Sequence, residues 1–155
     1  MTLFITNQQI ANQRVRAILL TERGTLMFIK RVKPDVPPYW VAPGGGVEEE
    51  DMSLIGTLHR ELHEELGASV EVLYPAFVLR HQKANKNLEE HFYVCRLIGY
   101  DLSLRSGPEF ADATRGQYLV DEIPLDPDAL RALNIKTPEL LDWLVENLAY
   151  LRRAA

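Results

Sequence analysis

A run of three glycines followed by a short acidic helix is the feature that most constrains this chain. Gly44, Gly45 and Gly46 follow Trp-Val-Ala-Pro, and glycine lets a backbone take positive φ and approach a ligand without side-chain obstruction. In residues 53–66 apolar side chains recur at three- and four-residue spacing, and Gly67 follows as a C-cap. That spacing predicts an amphipathic helix with Leu54, Ile55, Leu58, Leu62 and Leu66 on its apolar side.

Three glutamates share one face of this predicted helix. At about 100° per residue, Glu64, Glu61 and Glu65 lie near −60°, 0° and +40°, beside the apolar side chains. Most glutamate-rich helix faces are simply solvated, but acids one turn apart repel, and negative charge is unfavourable near a helix C-terminus. Arg60 supplies only part of the compensating charge. Mg²⁺ is held by carboxylates and substrate phosphates, so the helix predicts a metal site.

Short strands and turns make up most of the remaining chain. Residues 14–21 and 26–30 predict a β-hairpin, residues 33–38 contain three prolines and predict a loop, and residues 40–42 predict a short strand. Residues 70–79 and 91–97 predict longer strands that could pair as a hairpin. The other predicted elements are weak strands at residues 102–104 and 118–120, a brief helix at residues 127–133, and a helix that Thr137 caps and that runs from Pro138 to about Arg152.

Composition limits the partners that the chain can have. Its 155 residues are 46% hydrophobic, which is enough to bury a core, so we expect one domain over residues 1–155. The net charge is −5 without a basic stripe, which does not favour a nucleic acid partner. No apolar run approaches the roughly 20 residues that span a bilayer, and residues 1–14 lack the apolar stretch of a signal peptide. Cys95 is the only cysteine, which excludes an internal disulfide, and we expect a cytoplasmic protein with no membrane partner. Homodimer formation is left open.

Residues 45–68 resemble the Nudix box. That pattern is Gly, five residues, Glu, seven residues, Arg-Glu, an aliphatic residue, any residue, Glu-Glu, any residue, Gly and an aliphatic or similar residue. Its second half matches here without a gap, as Arg60-Glu61-Leu62-His63-Glu64-Glu65-Leu66-Gly67-Ala68. In the first half, counting forward from Gly45 places Asp51 at the glutamate position, whereas counting back from Arg60 places Met52 there. The simplest account is a one-residue insertion, with Asp51 replacing the glutamate.

The resemblance implies both a fold and a reaction. The fold is α/β (α+β), a Nudix-type α/β/α sandwich in which a mixed β-sheet lies between the box helix and the C-terminal helix. Family members hydrolyse a nucleoside diphosphate linked to another group, by attack of a metal-activated water on phosphorus. Carried over to this chain, Glu61, Glu64 and Glu65, with a backbone carbonyl of Gly45, would ligate Mg²⁺ or Mn²⁺. Arg60 would pair with an acid and fix the geometry.

Other candidate residues have ordinary alternatives. Arg31 could contact phosphate or be a solvated strand-end arginine, and Trp40 could stack on a base or pack in the core. Gly44, Gly45 and Gly46 would line the substrate site. The general base is either Glu64 or Glu109, although an ordinary loop carboxylate is the simpler reading of Glu109. Cys95 and the histidines are interpreted as structural.

Two further functions compete with hydrolysis. A Nudix-fold binding or regulatory module would hold a nucleotide without cleaving it, but such a module is expected to lose box acids that this chain retains. An isoprenoid diphosphate isomerase would require a catalytic cysteine in a supporting context, which Cys95 lacks. The substrate stays open between a nucleoside triphosphate, a nucleotide sugar and another small-molecule diphosphate, because the extra motifs of several specialised members are missing. Pro75, for example, comes too early for the proline of many ADP-ribose hydrolases.

Overall fold

The predicted N-terminal hairpin forms, and its two strands separate beyond their turn. In the computed structural model, which describes residues 12–155, β1 (Gln13–Leu20) pairs with β2 (Thr25–Val32) only next to the turn. Farther along, β1 pairs instead with β4 (Gly44–Gly46), and β2 pairs with β3 (Tyr39–Val41). The prediction about a signal peptide falls mainly on residues 1–11, which lie outside the described residues.

Three longer strands complete the sheet. These are β5 (Ala68–Lys83), β6 (Lys86–Tyr100) and β7 (Gln117–Pro124). The strand order is β3-β2-β1-β6-β5, and β7 pairs with β2 on the side opposite to β1. β1 runs parallel to β6, and the other strand pairs are antiparallel. The mixed sheet that the resemblance implies is therefore confirmed. The β5–β6 hairpin is also confirmed, and it needs only Ala84 and Asn85, both at positive φ, to turn.

Helices cover both faces of the sheet and form two cores. The helix α1 (Leu54–Leu66) packs on one face, where Leu58, Leu62 and Leu66 are completely buried. The other face is covered by α2 (Pro127–Arg131), α3 (Pro138–Glu146) and α4 (Leu148–Ala154). This is the predicted α/β/α sandwich. Among residues 12–155, no helix is both long and apolar enough to cross a membrane.

Several local predictions were wrong. Leu102–Leu104 is a 3-10 turn and not a strand, because the side chain of Asp101 accepts hydrogen bonds from the backbone N–H and hydroxyl of Ser103 and caps the turn. Ile55 does not join the core, since it is 45% exposed. The glycine run is a short strand on β1 and not simply a loop.

The C-terminal helix was also predicted incorrectly, because it is interrupted at Asn147. The Asn147 side chain donates to the carbonyl of Trp143 at 2.8 Å, and its backbone leaves the helical region, so α3 ends and α4 begins there. Thr137 does occupy the N-cap position, but its side chain makes no capping hydrogen bond. The interruption lets both short helices pack their leucines against the same sheet face.

Candidate active site

The ends of α1 are fixed by its flanking residues. Ser53 accepts a hydrogen bond from the backbone N–H of Gly56 at 2.9 Å and caps the N-terminus. Gly67 ends the helix in the left-handed region, at φ 59°, and donates to the carbonyl of His63. A Cβ at Gly67 would lie 1.9 Å from the carbonyl oxygen of Asp101, so only glycine fits. The acidic face of α1 therefore has a defined position on the sheet.

Two glycines of β4 allow this strand to lie very close to β1 on one side and to α1 on the other. A Cβ at Gly44 would lie 2.0 Å from the carbonyl oxygen of Val15, and Gly44 has φ 150°. A Cβ at Gly45 would lie 2.4 Å from the carboxyl carbon of Glu61. The strand therefore brings a bare backbone against the carboxylate of Glu61, as the sequence predicts. The ligation of a metal by Gly45 stays a prediction.

Arg60 fastens the acidic helix to the loop that precedes it. Its guanidinium donates to both carboxylate oxygens of Asp51, at 2.9 and 2.8 Å, and to the carbonyl oxygen of Gly46 at 3.0 Å. The same group lies 3.2 Å from a carboxylate oxygen of Glu61 and 3.2 Å from one of Glu64. Arg60 therefore pairs with a loop acid and with two of the candidate metal ligands at once.

The structure distinguishes Asp51 from Met52 at the irregular position of the box. The Asp51 side chain is only 7% exposed, and it also accepts from the hydroxyl of Thr57 and the backbone N–H of Glu48. The Arg60 hydrogen bonds hold the pKa of Asp51 well below its usual range. Met52 is 96% exposed. These contacts and the exposure of Met52 favour Asp51 as the residue that replaces the box glutamate, which stays a prediction.

Glu65 is separated from the other two acids by burial. Its side chain turns toward the sheet, where a carboxylate oxygen accepts from the backbone N–H of Gly44 at 2.6 Å. Burial raises the pKa of Glu65 to about 8, although the nearby charge of Arg16 opposes the shift. The pKa of Glu61 is also raised by burial, although the neighbouring charge of Arg60 opposes the shift. No group of three or more His, Cys, Asp or Glu side chains in residues 12–155 is arranged to hold a metal ion.

Arg105 supplies a cation that the sequence did not reveal. Its Nε donates to the carbonyl oxygen of Glu65 at 2.7 Å, near the C-terminal end of α1, where a positive charge is favourable. Its Nη2 is buried and has no hydrogen-bond partner among residues 12–155. The guanidinium also lies over the ring of Phe110, 4.7 Å from the centroid. No motif marks this residue, because its position depends on where the chain passes after β6.

Glu109 lies in the 3-10 turn Pro108–Ala111, beyond the C-terminal end of α1. Its carboxylate folds back over Gly107, where a Cβ would lie 2.3 Å from an oxygen of Glu109. Its negative charge contributes to raising the pKa of both Glu61 and Glu65. Glu109 is therefore in the electrostatic neighbourhood of the acids, and its role as a base stays a prediction.

A cavity of about 470 Å³ opens beside Glu65, which forms part of its wall. The predicted substrate-binding residues Arg31 and Trp40 line the same cavity. The indole N–H of Trp40 donates to Asp121 at 2.8 Å, and its ring packs against the core, as the second sequence interpretation expects; stacking on a base stays a prediction. Arg31 is fixed by backbone carbonyls of Arg115 and Gln117. The cavity size suits a small-molecule ligand.

A buried ion-pair network forms another part of the cavity wall. Glu90 pairs with Nε of Arg16 at 3.0 Å and with Nε2 of His81 at 2.9 Å, and Arg16 also donates to the carbonyl of Ala42 at 3.2 Å. Burial would raise the pKa of Glu90, but Arg16 and His81 outweigh it and lower the pKa. The sequence did not indicate these residues, because the parallel pairing of β1 with β6 brings them together.

Tyr39 carries an unusual concentration of positive charge. Lys136, Lys33 and Arg31 place their cationic groups 5.3, 5.6 and 6.0 Å from its ring centroid. Burial raises the pKa of the Tyr39 hydroxyl, but a hydrogen bond from Lys33 and the three positive charges outweigh burial and lower it. Arg31 also stacks on Tyr118, 3.7 Å from that ring centroid.

Cys95 has no place in this site. It is completely buried in the core beneath α1, and burial raises the pKa of its thiol to about 12. The prediction of a buried strand cysteine is confirmed. A thiol of this kind is a poor nucleophile.

The chain belongs to the NUDIX domain family, whose model matches residues 11–144. No curated protein sequence matches it. Its fold is similar to that of a NUDIX hydrolase from Nitrosomonas europaea, with a TM-score of 0.68 and 17% identity over 90% of this chain and 88% of that one. The family, the α+β fold and the hydrolase class that the box predicts are thereby confirmed.

Two further solved structures are similar to the chain. An ADP-ribose pyrophosphatase from Streptococcus suis has a TM-score of 0.58 and 20% identity over 88% of this chain and 90% of that one. An Ap4A hydrolase from C. elegans has a TM-score of 0.64 and 16% identity over 90% and 96%. Identities this low establish a shared fold and leave the substrate of this chain open.

Proposed function

We propose that the chain is a divalent-metal-dependent pyrophosphohydrolase. Its substrate is a nucleoside diphosphate linked to another moiety, as in a nucleoside triphosphate or a nucleotide sugar, and water attacks one phosphorus. One observation carries the proposal: Glu65 of the acidic helix accepts from Gly44 in the wall of a cavity that Arg31 and Trp40 also line. The hydrogen bond connects the acidic helix to the glycine strand, and the shared cavity places Glu65 beside the candidate nucleotide-binding side chains.

Mg²⁺ is the proposed cofactor, with Mn²⁺ as the alternative. The donor chemistry fits a hard cation, since Glu61, Glu64 and Glu65 offer carboxylate oxygens and Gly45 offers a backbone carbonyl. The raised pKa values of Glu61 and Glu65 support this, because a cation would relieve the penalty that burial and neighbouring acids impose. When bound, it would neutralise phosphate charge and lower the pKa of a water molecule.

The surrounding side chains have distinct roles in this proposal. Arg60 is a positioning residue, because it joins Asp51 and the Gly46 carbonyl to the acidic face of α1. Arg31 contacts phosphate, and Trp40 stacks on the base. Two residues are candidates for the general base: Glu64, whose side chain is 31% exposed, and Glu109.

The substrate class is also proposed from the relatives. The similar structures include an ADP-ribose pyrophosphatase and an Ap4A hydrolase, both named for substrates in which a nucleotide is joined through phosphate anhydride bonds. A nucleotide derivative with such a bond is therefore the substrate that we propose here.

A substrate panel with Mg²⁺ tests the function. Purified chain is incubated with nucleoside triphosphates, nucleotide sugars and dinucleoside polyphosphates, and the products are identified by mass. The wild type should cleave at least one compound, and a Glu64→Gln, Glu65→Gln double variant should lose about 100-fold or more in rate, as expected when metal-dependent charge stabilisation is removed. Glu50→Gln, which changes an exposed carboxylate outside the site, should leave the rate unchanged.

The same variants separate an enzyme from a nucleotide-binding module. If no compound is cleaved by the wild type above the double variant, the hydrolase proposal fails. Nucleotide binding that persists without metal and without both acids would instead identify a binding module. Binding that requires the metal and both acids, together with hydrolysis, supports the enzyme.

Several broader predictions are kept as proposals. We propose one domain over residues 1–155, a cytoplasmic location and a small-molecule nucleotide partner, with no nucleic acid partner because the net charge is −5. Size-exclusion chromatography with light scattering would decide whether the chain forms a homodimer.

A further inference from the structure

A second charged region lies in the same cavity as the acidic helix. Arg31, Tyr39 and Lys136 line that cavity together with Glu65, and Lys33 lies beside Tyr39. We propose that the three cations around Tyr39 form an anion-binding subsite for a second negatively charged group of the substrate. This proposal rests on the proposed function and narrows its substrate class.

The backbone holds three of these four residues in place. Arg31 and Tyr39 are directly paired across β2 and β3. Lys136 is brought to β3 by a bridge between Trp40 and Ile135, in which the backbone N–H of Lys136 donates to the carbonyl of Trp40 at 3.0 Å. Strand pairing therefore brings Arg31, Tyr39 and Lys136 together, and Lys33 directly follows the last residue of β2.

Acidic side chains of the described residues do not neutralise Arg31 or Lys33. None of the ion pairs in the described part of the chain involves Arg31 or Lys33. Arg31 directs Nε and Nη2 to backbone carbonyls, which orient the guanidinium without neutralising it. Glu90 and Glu139 also line the cavity, and Arg16 and His81 already occupy the carboxylate of Glu90. Like charges this close repel, and a bound anion would relieve that repulsion.

The chemistry of the subsite selects a substrate with two anionic parts. Carboxylate and phosphate groups are what lysine and arginine bind most strongly, and Tyr39 adds an aromatic face to the same position. With the diphosphate at the glycine strand and acidic helix, the anionic group that Arg31 contacts is this second one, and we assign it to the linked moiety. A charged sugar or a phosphorylated moiety is therefore favoured over a neutral sugar.

Inorganic phosphate tests the subsite without depending on the nucleotide or on hydrolysis. Titration of the metal-free protein, followed by NMR of Tyr39 and the lysine side chains, should show saturable shifts at Tyr39. Lys33→Gln should weaken phosphate binding by about fivefold or more, as expected for loss of one charge-assisted contact. Lys86→Gln, an exposed lysine on the β5–β6 hairpin, is the matched control and should not change it. Absence of shifts at Tyr39, or equal binding by Lys33→Gln and wild type, would overturn the proposal.

A matched pair of substrates gives the second readout. UDP-glucuronate and UDP-glucose differ in one carboxylate, so the ratio of their kcat/KM values reports recognition of that group. The wild type should favour UDP-glucuronate, and Lys33→Gln should reduce the ratio about fivefold, whereas Lys86→Gln should leave the ratio unchanged. A ratio near one in the wild type contradicts the assignment of the subsite to the linked moiety. If neither compound is hydrolysed, the phosphate titration alone decides the subsite, and the broader panel decides the enzyme.

Discussion

Asp51→Asn tests how the loop before α1 holds the acidic helix. Asp51 accepts hydrogen bonds from Nε and Nη2 of Arg60, at 2.9 and 2.8 Å, and from Thr57 and Glu48, both at 2.8 Å. Asparagine has nearly the same shape but lacks the charge, and its amide presents donors to a guanidinium that also donates. Loss of one partner of a largely buried pair should lower the free energy of unfolding by about 3 kcal/mol.

Thermal and urea denaturation at pH 7 measure this loss. At about 2–4 °C per kcal/mol for a chain of this size, the melting temperature should fall by about 6–12 °C. Met52→Gln is the control, because Met52 is 96% exposed, and its effect should stay within about 0.5 kcal/mol. Similar losses at the two positions, or no loss at Asp51, would refute the assignment of Asp51 as the residue that replaces the box glutamate.

The pH dependence gives an independent test of the same pair. The pKa of Asp51 is depressed from a reference value of 3.8, so the stabilisation by its carboxylate is complete above about pH 4 and declines as the pH falls further. The difference between wild type and Asp51→Asn should therefore be largest above about pH 4 and shrink as the pH falls from about 4 to about 3. A difference that stays constant over this range would show that the charge of Asp51 contributes nothing.

Three further predictions concern the helix end, the buried acid and the glycine strand. Gly67→Ala should cost about 3 kcal/mol in thermal unfolding, because it combines positive φ with a collision against a backbone carbonyl, whereas Gly24→Ala, at φ 69° in open space, should cost only about 1 kcal/mol. The second prediction compares the wild type with Glu65→Gln after metal has been removed by EDTA. Because the pKa of Glu65 is raised in the folded state, the free energy of unfolding of the wild type should fall relative to that of the variant as the pH rises from 4.5 toward 8, by at most about 3 kcal/mol at pH 7. Parallel stability curves would contradict this prediction. Gly45→Ala should lower the hydrolysis rate at least about tenfold by displacing the carboxylate of Glu61. Gly99→Ala on β6, where a Cβ meets nothing within 4 Å, is the control and should leave the rate unchanged; equal rates for the two variants would count against close contact between β4 and α1.

The parts of the site that are local in sequence could be predicted. The period of α1, its Ser53 and Gly67 ends and the pairing of Arg60 with a loop acid all depend on residues within about one or two helical turns of each other. The choice between Asp51 and Met52 could not be made by counting, because an insertion makes two registers equally consistent with the pattern. Burial favours Asp51 over Met52, and burial is a property of the folded chain.

The cavity could be predicted only in part. Arg31 and Trp40 lie close in sequence to the glycine run, and both do line the cavity. Arg16, His81 and Glu90 escaped prediction, because no short-range pattern reports that a strand near residue 16 lies parallel to one near residue 90. Arg105 escaped for the same reason, since only the passage of the chain past the end of α1 gives it a role.

The parallel pairing of β1 with β6 also has a consequence for how the protein folds. Residue 13 is paired with residue 89, so this part of the sheet can form only after a loop of about 75 residues has closed. The helix α1 and the β5–β6 hairpin need only local contacts and can form before that closure. We therefore expect the acidic helix to exist early in folding, while the ion-pair network of the cavity, which joins β1 to β6, is completed last. Chains that stop folding before this step would contain the acidic helix of the Nudix box but would lack the ligand-binding cavity.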